Sequence, residues 1–175
     1  MSERRRLLSA GLIAAWSLIV IGVVWLRLSP LYEAWLVGGA NILLPDDLWL
    51  GDFGPAITVN HASDGQSFQH GIDPLVLHSG MVIVLALVAA TPGRSIRWRA
   101  QAGVAVAGGL FALQVAALAV FALALRSSVS GGLLAGDALI GFAMFWASTP
   151  LVIGGAWAYR FWLPAFGLGA AREAE

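Results

Sequence analysis

From Leu7 to Leu26 the chain runs for about twenty residues without a charged side chain, and runs free of Asp, Glu, Lys and Arg recur at 74–90, 102–125 and 138–159. Twenty residues of α-helix rise about 30 Å, the thickness of a bilayer's hydrocarbon core. Backbone polar groups in lipid must be satisfied within the segment, so runs of this kind fold as membrane-spanning helices. The sequence therefore predicts an all-α integral membrane protein of one domain, 1–175, with four transmembrane helices at about 7–26, 74–90, 102–125 and 138–159. Composition agrees. Of the 175 residues 59% are hydrophobic and 11% charged, and the mean hydropathy of +0.81 lies outside the range of soluble domains.

The formal charge is zero, but the charges are segregated. All ten basic residues are arginines; Arg4, Arg5 and Arg6 precede the first run, Arg94, Arg97 and Arg99 sit between the second and third, and Arg160 and Arg172 follow the fourth, while Arg27 and Arg126 stand singly after the first and third runs. Positive residues mark the cytoplasmic side of a membrane protein. Both termini are therefore expected in the cytoplasm and the segment 28–73 outside, in a cytoplasmic (inner) membrane. The first run is long for a signal core, and Trp25, Arg27 and Pro30 follow it where small residues would mark cleavage, so it reads as an uncleaved anchor. Arginine as the only basic residue, with abundant Ala and Gly, fits a bacterial source.

The outer segment carries Glu33, Asp46, Asp47, Asp52, Asp64 and Asp73, and no Lys or Arg occurs between Leu28 and Gly80. Leu31–Leu44 spaces its apolar residues at helical period but is interrupted by Gly38 and Gly39, which predicts a short interfacial helix ended by Pro45-Asp46-Asp47. Trp49 and Phe53 are expected as aromatic anchors at headgroup depth. Ala56–Val59 and Gln66–Phe68 flank Asn60–Gly65, which closes in the turn dipeptide Asp64-Gly65, and predict a small β-hairpin.

Residues able to do chemistry are few. The chain has no cysteine, which removes disulfides, thiolate metal sites and a cysteine nucleophile. His61, His70 and His78 cluster outside, and imidazole is a common metal and haem ligand, but their spacings of nine and eight match no compact zinc pattern. Asp73 and His78 straddle a helix start, where the acid either caps the helix ahead of Pro74 or orients the imidazole as a general base. Ser79, adjacent to His78, points about 100° away on a helix and is poorly placed as a nucleophile. Gln114, in mid-span, is expected to hydrogen-bond across a helix interface. Arg126 and Asp137 bracket the second outer loop, to pair with each other or with the acidic segment. No cofactor is implied, and nothing points to nucleic acid.

Tyr32, Asn41-Ile42-Leu43-Leu44, the β-rich outer stretch and the pair Ser79-Gly80 at a helix start together resemble the exosortase and archaeosortase membrane proteins, over about 32–159. That family transfers sorting signals with an outward-facing Cys-Arg-His constellation. Here His78 stands at the cysteine position, Gln114–Val120 lacks the expected arginine, and Asp137 stands near the start of the fourth span where histidine belongs. The resemblance therefore implies a non-catalytic relative, similar to the exosortase H-associated membrane proteins. The expected function is that of a non-enzymatic accessory protein of an envelope sorting system, in contact with the lipid bilayer and with a membrane protein partner through its outer segment. The alternatives are a small structural subunit of a larger membrane redox or transport complex, or a membrane hydrolase using Asp73 and His78.

Overall fold

The computed structural model describes residues 3–52, 57–63, 66–72, 74–129 and 134–166. Four main helices, α1 (Glu3–Asn41), α2 (Pro74–Ala89), α3 (Ile96–Val129) and α4 (Leu134–Trp157), carry most of the chain. A π-helical turn, Ala158–Trp162, and a last turn of helix, Leu163–Ala165, extend α4. Between α1 and α2 stand three strands, β1 (Leu48–Asp52), β2 (Ile57–Ser63) and β3 (Gln66–Ile72), in an antiparallel sheet of order β1-β2-β3. Three segments are long and apolar enough to cross a membrane, Gly11–Asn41, Ile96–Ser127 and Ile140–Ala165, while the apolar helix Gly80–Ala89 is shorter.

α1 corrects the expectation of a separate interfacial helix. It passes without a break through Pro30, Gly38 and Gly39 and ends at Asn41. Pro30 removes one backbone donor, which costs an interior hydrogen bond, but the residues after it repeat at helical spacing and find partners. Tyr32, Leu36 and Ala40 lie on one face, and Leu36 and Ala40 are fully buried. Gly39 lies where a side chain would crowd Val115 of α3, with an added Cβ only 3.0 Å from Val115 Cγ2. The glycines that looked like breakers let α1 approach α3. At about 1.5 Å per residue α1 is roughly 58 Å long, nearly twice the hydrocarbon thickness. The segment that links α1 to α2 therefore starts after Asn41 rather than at Leu28.

α2 is the shortest of the four, yet it touches α1, α3 and α4. Met81, Val84, Val88 and Leu110 form a buried cluster around it, flanked by Trp25, Ile153 and Trp157. Gly80 meets α4 at Pro150, whose ring fills the space a Cβ would need, and Gly154 meets Leu87 of α2. Two glycines on opposite helices thus set the α2–α4 approach. α2 ends in a polar latch. The Thr91 hydroxyl donates to the Leu87 carbonyl (3.0 Å) and accepts from Trp157 Nε1 (2.9 Å), and Gly93 turns the chain at φ 71°. Arg99 Nη1 donates to the Ala89 carbonyl (3.1 Å), a cation on the negative end of the helix. The arginine loop expected at Arg94–Arg99 is shorter than its sequence implied. Ser95 Oγ accepts from the Trp98 amide (3.3 Å) and starts α3 at Ile96, so Arg97 and Arg99 belong to the helix.

The expected hairpin is β2 and β3, longer than its sequence signal and joined by a third strand. Asp64-Gly65, Phe53 and Asp73 lie outside the described residues. Leu48, Leu50, Ile57 and Val59 alternate along their strands, share one face and are at most 2% exposed. With Ile72 they pack on Leu36, Val37 and Ala40 of α1, on Leu118, Phe121, Ala122 and Leu125 of α3, and on Trp146 of α4. Trp49 points the other way and is 42% exposed.

The Gly80–Pro150 contact has a direct consequence. Gly80→Ala should destabilise the bundle by about 1–3 kcal/mol, because a proline ring cannot turn aside. Pro150→Ala in the same chain should recover at least half of the loss. Thermal unfolding in detergent checks both, and an unchanged midpoint for Gly80→Ala would contradict the packing described.

Candidate functional site

The sheet and the helix ends beneath it bring together Asn41, Asp47, His61 and Arg126. Asn41, the last residue of α1, presents its carboxamide edge-on to β1. Its Nδ2 donates to the Leu50 carbonyl (2.9 Å), and its Oδ1 accepts from the Leu50 amide (2.7 Å). The amide side chain thereby does what a neighbouring strand would do, closing the outer edge of β1 at its midpoint. On β2, the Thr58 hydroxyl donates to the Gly51 carbonyl (3.2 Å), and Asn60 Nδ2 donates to Thr58 Oγ1 (3.2 Å); both residues are buried.

Asp47, in the turn before β1, is the electrostatic centre. One of its oxygens, Oδ2, lies 2.6 Å from Arg126 Nη2 and 3.3 Å from His61 Nε2. Arg126 comes from the last turn of α3, and His61 from β2, where it pairs with Leu48 of β1. One carboxylate therefore ties the top of α3 to two points of the outer segment. The Arg126 and Asp47 side chains are 40% and 36% exposed, so water screens the pair and its contribution is about 0–1 kcal/mol. Each buried aliphatic of the sheet contributes about 1.5–3 kcal/mol relative to exposure. Apolar packing therefore carries the larger share, and it comes from Leu48, Leu50, Ile57, Val59 and Ile72, while Trp35 is 60% exposed and Trp49 42%.

Inside the bundle, Gln114 of α3 is 2% exposed, and its Oε1 accepts a hydrogen bond from the Tyr32 hydroxyl of α1. Tyr32 is wedged between the rings of Trp25 and Phe111. This is a helix-to-helix polar contact in apolar surroundings.

Of the residues singled out from sequence, the structure unites His61 and Arg126 through Asp47. His70 sits on β3 in register with Val59, His78 on α2 and Asp137 in the first turn of α4. Their side chains, and Asp73 altogether, lie outside the described part, so the Asp73–His78 pair has no geometry to weigh. Among the described residues no cluster of three or more His, Cys, Asp or Glu could hold a metal ion. A carboxylate orienting an imidazole can build a general base. Here that carboxylate also neutralises a guanidinium, and among the described residues no hydroxyl hydrogen-bonds His61. Asn41, Asp47 and Tyr32 carry contacts that sequence reasoning did not assign. The only local signal was Asn41 directly after an apolar helical stretch, where a polar side chain can serve the chain leaving the helix.

The two edges of the sheet differ. Because Leu50 turns its amide and carbonyl away from β2 towards Asn41, the alternation of an antiparallel ladder turns the backbone groups of Val59, and of its β3 partner His70, towards each other. Ser67, Gln69 and Gly71 of β3 then present their backbone groups outward. Among the described residues nothing pairs with that edge.

Comparison of the chain with protein-family models, with curated proteins and with solved structures found no match.

Two substitutions separate the forces on the sheet. Asn41→Ala leaves two part-buried backbone groups of Leu50 without partners and should cost about 1–3 kcal/mol. Arg126→Ala should cost no more than about 1 kcal/mol. Limited proteolysis of 42–73 in the isolated protein should therefore accelerate more for Asn41→Ala. The reverse order would place the ion pair, not the amide, in control.

Proposed function

We propose that this chain is a non-enzymatic accessory protein of a bacterial envelope protein-sorting system of the exosortase-like kind, most similar in role to the exosortase H-associated type. In this proposal it sits in the inner membrane with four helices across the bilayer and both termini cytoplasmic. Its outer sheet takes up an extended segment of a partner protein, as an added strand beside β3. The observation that carries the proposal is the asymmetry of the sheet: Asn41 closes the edge of β1, while the backbone groups of β3 face outward without a described partner. An open edge of this kind binds extended peptide through main-chain hydrogen bonds. The surrounding segment, acidic and free of Lys and Arg from Leu28 to Gly80, favours a partner segment that carries basic residues. Four spans are supported by α2, whose 16 residues rise about 24 Å and are flanked by three longer helices. The orientation is supported by the arginines at the opposite end of the bundle from the sheet.

One observation favours a second reading, that of a structural subunit of a larger membrane complex. Leu12, Trp16, Ile19 and Val23 on the first half of α1 are all more than half exposed. A bare apolar helix of this length suits lipid or a neighbouring subunit.

Partners recovered from native membranes with Gln69→Pro distinguish the two. Proline at Gln69 removes an outward amide of β3 without touching its ladder with β2. Retention of a partner with an extracytoplasmic tail should fall by about tenfold for the loss of one main-chain bond and the clash of the ring. A partner that survives Gln69→Pro but is lost with Trp16→Ala and Ile19→Ala would establish the subunit reading instead.

A further inference from the structure

The end of the bundle away from the sheet gathers cations. Arg94 lies in the α2–α3 turn, Arg97 in the first turn of α3, and Arg160 in the π-helical turn after α4. All three are exposed. No Asp or Glu occurs between residues 74 and 136, nor between 138 and 172, and among the described residues none of these arginines pairs with a carboxylate. Arg94 and Arg160 are held on an aromatic platform. The rings of Trp98, Trp157 and Phe161 lie against one another, with centroids 5.3 Å apart for Trp98–Phe161, 4.6 Å for Trp157–Phe161 and 5.8 Å for Trp98–Trp157. The Arg94 guanidinium lies 5.0 Å from the Trp98 centroid and 5.5 Å from that of Phe161, while that of Arg160 lies 5.9 Å from the same Phe161 ring.

Stacking on a ring uses the face of a guanidinium and leaves its N–H edge free to form paired hydrogen bonds with an oxyanion. Two like charges brought to one ring repel each other, and an anion between them removes the repulsion. Trp98 and Trp157 stand where interfacial tryptophans anchor a helix at headgroup depth. Below them the helices turn outward the apolar side chains Val104, Leu151 and Val152, each at least 66% exposed.

We propose that this end of the bundle is a binding site for an anionic phospholipid. Arg94 and Arg160 hold the headgroup phosphate, and the acyl chains lie along the outer faces of α3 and α4. Exposed apolar side chains on α3 and α4 favour a lipid over a free anion, and basic clusters at helix ends on the cytoplasmic side are built for such headgroups. The site rests on the membrane placement proposed above.

The purified full chain, delipidated in a neutral detergent, can be given phosphatidylglycerol or phosphatidylcholine and the retained lipids counted by native mass spectrometry. Wild type should favour phosphatidylglycerol on the order of tenfold, from two arginines at an anionic headgroup. Arg94→Gln with Arg160→Gln should abolish the preference, and Arg27→Gln on α1 should leave it unchanged. Phosphatidylcholine retention should be the same in all three proteins and reports an intact bundle. Equal retention of the two lipids by wild type, or a preference that survives the double substitution, would overturn the site. Displacement of phosphatidylglycerol by millimolar inorganic phosphate would overturn the lipid and leave a free-anion site. The orientation fails separately: an impermeant thiol reagent that labels Ser95→Cys from outside intact cells contradicts the topology whatever the lipid counts are.

Discussion

Leu48, Leu50, Ile57, Val59 and Ile72 bury their side chains on the ends of α1 and α3 and on Trp146, and the rest of the outer structure depends on that contact. Three strands of five to seven residues cannot hold themselves together in water with their apolar face uncovered. The helix ends supply the missing cover. Because the apolar side chains alternate along each strand, a slip by one residue would expose all of them, so the helices fix the register as well as the stability. Asn41 and Asp47 then add direction to a contact that is itself non-directional. The first aligns β1 with the end of α1, and the second aligns the turn before β1 with α3.

The bundle below is built around its shortest helix. Shielded by three neighbours, α2 needs no long lipid-facing surface, and its closeness to α4 is bought by Gly80 against Pro150 and Gly154 against Leu87. Small residues at such crossings replace the hydrophobic driving force that lipid removes. The Tyr32–Gln114 contact adds a polar tie between α1 and α3 at the level where α2 starts to fill the interior. The two ends of the molecule then differ in chemistry: a sheet whose β3 edge is unpaired among the described residues at one end, and arginines on an aromatic platform at the other.

Much of this is legible in the sequence. The apolar runs locate the helices because lipid allows few alternatives, and the hairpin followed from alternation around Asp64-Gly65. What could not be read is instructive. Pro30, Gly38 and Gly39 carry the local signature of a break, yet α1 continues, because Leu36 and Ala40 are buried by residues distant in sequence and Gly39 fits beneath Val115. Tertiary packing outweighs local propensity there. The third strand was missed because Leu48–Asp52 is short and is recognisable only through Asn41 and β2. Asp47 was one acid among six, and only the fold places it between Arg126 and His61. The side chains of His70 and His78, and Asp73 altogether, lie outside the described residues.

The central claim is that sheet and bundle form one cooperative unit through their shared apolar cluster. Native-state hydrogen exchange followed by mass spectrometry in detergent addresses it most directly. The amides of Leu50 and of Val59–His61 should exchange only with the global opening that also exposes the outer halves of α1 and α3, and their protection should fall together with that of α3 when Leu118→Ala weakens the cluster. Exchange of the strands at rates near those of an unstructured chain while α3 remains protected would contradict the account.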